Sequence, residues 1–142
     1  MVAMTTTPLR PCATAADFAA VLALLERYFE AFQHSDARAL GELFHPGALY
    51  AFADGESLKQ LDMATYLPIV AARPAPASRG EGRDDRVLSL EFAGPATALA
   101  TVESRIAGKH YVDFLSLLKL AGRWRIVSKV FHVESEVRSC PT

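Results

Sequence analysis

Apolar residues recur at three- and four-residue steps through the first half of this chain and at every second position from Arg86 onward. One change of period, from helix to strand, confines the fold to the α+β class, with helices packed on one face of a sheet. Ala15 to Phe32 carries Phe18, Val21, Leu22, Leu25, Tyr28, Phe29 and Phe32 on one stripe, with Thr14 as N-cap and Asp17 in the first turn. Ser35 or Asp36 caps a short second helix, Ala37 to Phe44, which His45-Pro46-Gly47 stops. A strand from Ala48 to Ala53, a turn at Asp54-Gly55 and a third helix from near Asp62, disturbed by Pro68, come next. The Pro- and Gly-rich residues 73–84 read as a loop.

The second half reads as an antiparallel meander: Arg86 to Phe92, Thr97 to Ile106, His110 to Leu120 and Trp124 to Val133. Two-residue loops at Gly108-Lys109 and Ala121-Gly122 would set Ser104 opposite Asp113, Val130 opposite Asp113 and His132 opposite Tyr111. One face, which also takes Ser128, then holds an apolar floor, including Trp124, Ile126 and Val130, around a small polar cluster of Ser104, Tyr111, Asp113 and His132. Asp113 is the telling residue, because a carboxylate carried into an apolar interior costs several kcal/mol unless it is paired, hydrogen-bonded or protonated. The opposite face carries Val112, Phe114, Leu118, Val127 and Phe131, too apolar to face water, so a homodimer through it is expected. Glu103, Arg105 and Lys129 read as rim charges of that interface.

The 142 residues fit one domain over 14–135, with tails at 1–13 and 136–142. A net charge of -1 gives no electrostatic reason for nucleic acid or an anionic membrane surface. Neither a secretory signal nor an apolar run of membrane-spanning length is present, so a cytoplasmic location is expected. Cys12 and Cys140 show no metal-ligand or redox spacing, and a disulfide between them is disfavoured in a reducing compartment. With no nucleotide motif either, no cofactor is expected.

Several stretches together resemble the nuclear transport factor 2-like superfamily, more narrowly its SnoaL-like and putative lumazine-binding branches. They are Arg27-Tyr28-Phe29-Glu30-Ala31-Phe32 with Ser35-Asp36, Leu43-Phe44-His45-Pro46, Asp113-Phe114-Leu115, and Gly122-Arg123-Trp124-Arg125-Ile126-Val127. The resemblance implies a cone of three helices against a curved, mixed, mainly antiparallel sheet, a pocket inside the cone, and frequent dimerisation. It implies no single activity, since one fold hosts many chemistries. Within it, Tyr28 and Asp113 match the pair that in ketosteroid isomerases donates hydrogen bonds to an enolate oxygen, whereas the isomerase base falls at Phe52.

These readings converge on a homodimeric protein that binds a small hydrophobic or aromatic molecule, with Tyr50, Phe52, Ser104, Tyr111, Ser128 and Trp124 as candidate ligand contacts. The alternative is an isomerase, dehydratase or cyclase without cofactor, using Asp113 and His132 as acid and base and Tyr28 to polarise a carbonyl. A second alternative is an interaction module without catalysis. Each site residue has an ordinary reading too: Tyr28 as a core tyrosine, His132, His45 and His110 as exposed histidines, Trp124 as core at the narrow end of the cone.

Overall fold

The computed structural model describes residues 11–135; residues 1–10 of the expected tail at 1–13 and the whole expected tail at 136–142, Cys140 included, lie outside the described residues. Three helices come first: α1 Ala15–Gln33, α2 Ala37–Leu43 and α3 Met63–Ala72. Six strands form one sheet: β1 Phe44–Asp54, β2 Ser57–Asp62, β3 Asp85–Phe92, β4 Thr97–Ile106, β5 Lys109–Leu120 and β6 Arg123–Ser135. The strand order is β2-β1-β6-β5-β4-β3, with only β1 and β6 parallel.

Local chemistry accounts for the helix starts. Thr14 and Asp17 form a reciprocal capping box on α1, and Asp36 and Asp62 accept backbone N–H bonds at the heads of α2 and α3. α3 continues through Pro68 to Ala72. The buried stripe of α1 is rotated from the expected one: Leu24 is inside, while Phe18 and Leu22 stand exposed at its edge. Ser57–Asp62, given no element from sequence, pairs with β1 as a hairpin around Gly55-Glu56, and a short 3-10 turn, Pro76–Arg79, lies within the expected loop.

The meander departs from expectation in two ways. The β4–β5 loop is Ala107-Gly108, both with positive φ, so Ile106 faces Lys109 and Ser104 faces Tyr111. That shift of two residues keeps every side chain on its expected face. The β5–β6 hairpin begins as expected, with Leu120 opposite Arg123 and Leu117 opposite Ile126, but Ser116 pairs with Ser128. Val127 is the extra residue of a bulge, and a one-residue slip turns the rest of the strand over. Lys129 and Phe131 thus stand on the helix-covered face with Asp113, while Ser128, Val130 and His132 face outward. Phe131, expected at the outer interface, is buried against Tyr50, and Lys129, expected on the rim, is 4% exposed.

The core lies between the helices and this inner face: Val21, Leu25 and Tyr28 from α1, Leu40 and Leu43 from α2, Val102, Leu115, Leu117 and Ile126 from the sheet. At one end Trp124 packs edge-on to Phe92, and its Nε1 donates to Asp17 Oδ1 at 3.0 Å. Lys119 Nζ lies 2.9 Å from the same oxygen. These hydrogen bonds, that of Lys119 first, hold the Asp17 carboxyl well below its ordinary range.

Candidate functional site

At the other end of the inner face, the helices and sheet leave a cavity of about 300 Å³. Asp113 and Lys129 lie in its floor, and Tyr28 stands behind them, outside the lining residues. Tyr28, the fourteenth residue of α1, donates to Asp113 Oδ2 on β5 at 2.6 Å. Lys129 Nζ on β6 lies 3.7 Å from the same carboxylate oxygen. All three are nearly inaccessible, and Asp113 and Lys129 both line the cavity.

Asp113 supplies the carboxylate beside the buried Lys129 ammonium, and aromatic rings surround the rest of it. Lys129 Nζ stands 4.6 Å from the ring centre of Phe32, 5.0 Å from Phe131 and 5.4 Å from Tyr28, with Tyr50 and Tyr66 each at 5.8 Å. Ring faces attract a cation strongly once water is excluded. Tyr50 and Tyr66 are themselves stacked at 4.2 Å, closing one wall of the cage. Burial raises the phenol pKa of Tyr28, with the Asp113 charge adding to the effect, so Tyr28 stays a neutral donor. Burial likewise raises Tyr66 and Tyr50; for Tyr50 the Lys129 and Arg73 charges oppose the rise.

Hydrogen-bond accounting then defines what the floor offers a ligand. A phenol has one proton to give, and that of Tyr28 goes to Asp113. Asp113 has an ammonium and a phenol on Oδ2, but its buried Oδ1 has no hydrogen-bond partner among the described residues. Oδ1 is therefore an acceptor for a proton or a donor group brought by a ligand. Around the mouth stand Arg73, Arg79 and Lys109, with Glu81 paired to Arg79 at 3.0 Å, which favours an anionic ligand group there.

Of the expected contacts, Tyr50, Ser104 and Tyr111 line the cavity with Asp113. Phe52 is half-buried behind Tyr50 and Phe131. Ser128 lies on the outer face, and Trp124 is core, bonded to Asp17. His132 is not brought to Asp113: the Val127 bulge carries it outward, where its side chain is 72% exposed beside Glu134 at 3.5 Å. His110 is not free in solvent either, since it bonds Glu103 at 3.1 Å on the outer face. Lys129, Tyr66, Arg73 and Arg79 were missed. The Met63, Tyr66, Val70 spacing would have put Tyr66 on the buried stripe of α3, but nothing local marks Lys129 as buried.

Three helices on a curved six-stranded sheet around an internal cavity define a nuclear transport factor 2-like protein. Solved structures agree: a protein of unknown function with this fold from Silicibacter pomeroyi superposes with a TM-score of 0.72 at 27% identity, covering 86% of this chain and 99% of that one. Another from Shewanella baltica gives 0.77 at 21%, covering 93% and 100%, and a ketosteroid isomerase-like protein from Erwinia carotovora gives 0.67 at 13%, covering 86% and 99%. Residues 16–132 match the family described as putative lumazine-binding, and the chain belongs to that family. It is also 32% identical over 123 residues, 84% of this chain and 93% of the relative, to aldolase FrzH of a Cladobotryum species.

Proposed function

We propose that the cavity binds a small aromatic or apolar carbonyl compound bearing an anionic group, and catalyses proton abstraction beside the carbonyl for aldol-type carbon–carbon bond making or breaking. The observation that carries this reading is the unpartnered Oδ1 of Asp113, a residue that lines the cavity and whose other carboxylate oxygen lies 3.7 Å from Lys129 Nζ. Tyr28 donates to Asp113 Oδ2 and Lys129 Nζ stands 3.7 Å from the same oxygen, which leaves Oδ1 to act as the base. Negative charge moving onto the carbonyl oxygen is met by Lys129 in a site that excludes water, where such an interaction is strongest. Tyr28 holds Asp113 in place rather than touching the ligand. This assigns to Asp113 the base that the resemblance to ketosteroid isomerases had left without a match at Phe52. The likeness to a protein named an aldolase supports the same chemistry.

The ligand's rings would pack on Tyr50, Tyr66 and Tyr111, with its anion towards Arg73 and Arg79. A second copy of the chain would cover the outer sheet face, where Leu99, Phe114 and Val130 are exposed. Proton exchange tests the chemistry without knowledge of the aldol partner. In heavy water, NMR should show deuterium entering the carbon next to the carbonyl of phenylpyruvate faster than background, and faster than in phenylacetone, which lacks the anion. Asp113→Leu should lower the enzymatic rate by about a hundredfold or more, the usual worth of a positioned base. Equal exchange in Asp113→Leu and the unmodified protein would refute the reading.

A further inference from the structure

Lys129 has more than a charge to offer. It lines the cavity with its amine against a carboxylate and inside a ring of aromatic faces. We propose that Lys129 Nζ is a nucleophile that joins the ligand's aldehyde or ketone carbon as a Schiff base. This rests on the reading of the cavity as a carbonyl site and names how that site activates its substrate.

The charge balance favours the step. Lysine ammonium and carbonyl give a protonated imine and one water: the carbonyl oxygen leaves with two of the three ammonium hydrogens, and the third stays on nitrogen. Asp113 takes the first proton from Nζ, so that the neutral amine attacks carbon, and returns it to the departing oxygen. A cation stands at Nζ before and after. The five rings and the Asp113 carboxylate that hold the ammonium therefore hold the iminium equally well, and the environment exacts no electrostatic penalty for the exchange. Once the iminium is formed, the neighbouring carbon is acidified, and Asp113 Oδ1, still without a partner, accepts its proton to leave an enamine. The enamine carbon attacks an aldehyde in the synthetic direction, or is released from one by bond cleavage in the reverse. Water then restores the amine and the new carbonyl. No other lysine is so placed: Lys119 is paired with Asp17 and Lys109 stands exposed at the mouth.

Reductive trapping decides the matter. The protein is incubated with saturating phenylpyruvate and sodium cyanoborohydride, then measured by intact mass and peptide mapping. The expected result is one adduct, of the keto acid's mass less one oxygen, on Lys129 and formed at least tenfold faster than on Lys59, Lys109 or Lys119. Lys129→Arg keeps the charge in the cage but cannot form the imine, so it should remove that adduct and the proton exchange together. Exchange that persists in Lys129→Arg, or adducts only on surface lysines, would overturn the Schiff base while leaving the carbonyl reading intact. Loss of exchange in Lys129→Arg with no adduct in the unmodified protein also overturns it, and assigns Lys129 a charge role alone. Absence of any exchange in the unmodified protein would instead remove the carbonyl reading on which the inference stands.

Discussion

The Asp113–Lys129 pair shows why buried charges must be judged together. Each side chain is at most 5% exposed, and removing one partner strands the other. Lys129→Met is expected to cost about 3 kcal/mol of stability, and the double variant Lys129→Met with Asp113→Leu less than that, because an apolar pair of similar volume fills the space without desolvating an ion. Chemical denaturation of the three proteins checks this; additive losses would show that the two charges act independently. Tyr28→Phe should cost about 2 kcal/mol, the worth of a buried hydrogen bond to a charged acceptor. Asp17 carries a pH prediction. Its folded pKa lies below the ordinary 3.8, so the stabilisation is present above that value and is lost as pH falls below it. Other lowered carboxylates, Glu26 and Glu103 among them, add to the acid loss, so the difference between the unmodified protein and Asp17→Asn isolates one residue. That difference should shrink steadily below about pH 4 in thermal melts; a constant gap would mean that Asp17 acts only through shape.

Among the elements, β6 decides the site. Its two alternate residue sets, Ile126, Ser128, Val130 and His132 against Val127, Lys129, Phe131 and Val133, differ by one apolar residue, too little for hydrophobicity alone to say which faces in. The strand uses the first set up to Ile126 and the second from Lys129 onward, with Val127 as the switch. Deleting Val127 makes the hairpin regular without changing any other pair: Leu117 stays opposite Ile126, Ser116 opposite Ser128 and Leu115 opposite Lys129, so every remaining side chain keeps its face. The deletion variant is therefore expected to unfold cooperatively in chemical denaturation and to keep the Lys129 cage. Loss of cooperative unfolding would show that the bulge itself, through the twist it adds, is needed to close the sheet over the helices. Helix α1 is less ambiguous: its capping box sets where it starts, and Thr14→Ala should cost about 1 kcal/mol.

On the scale of the whole molecule, the cone covers one face of its sheet and leaves the other with Leu99, Phe114 and Val130 exposed; Phe114 is 54% exposed. A two-fold pairing of these faces predicts a dimer by light scattering at micromolar concentration, and Phe114→Asp should shift it towards monomer while leaving carbonyl exchange in place. A monomer in the unmodified protein would refute the pairing. The order of helices and strands, β2 apart, was legible in the sequence, because period, caps and turn residues act within a few positions of one another: Thr14 with Asp17, Asp36 and Asp62 at helix starts, Ala121-Gly122 at a hairpin. So was the inward side of Asp113, since the error in the β4–β5 loop was an even number of residues. The cage around Lys129 was not legible. It joins Tyr28 and Phe32 of α1, Tyr50 of β1, Tyr66 of α3 and Phe131 of β6, residues that local rules do not connect, around a lysine whose face depends on one inserted residue. β6 lies between β1, parallel to it, and β5, antiparallel, and must satisfy both while the sheet curves over the helices. That joint constraint is a property of the assembled sheet, so the sequence by itself determined the three helices and every strand but β2, in their order, and the tertiary structure alone decided which charges meet inside.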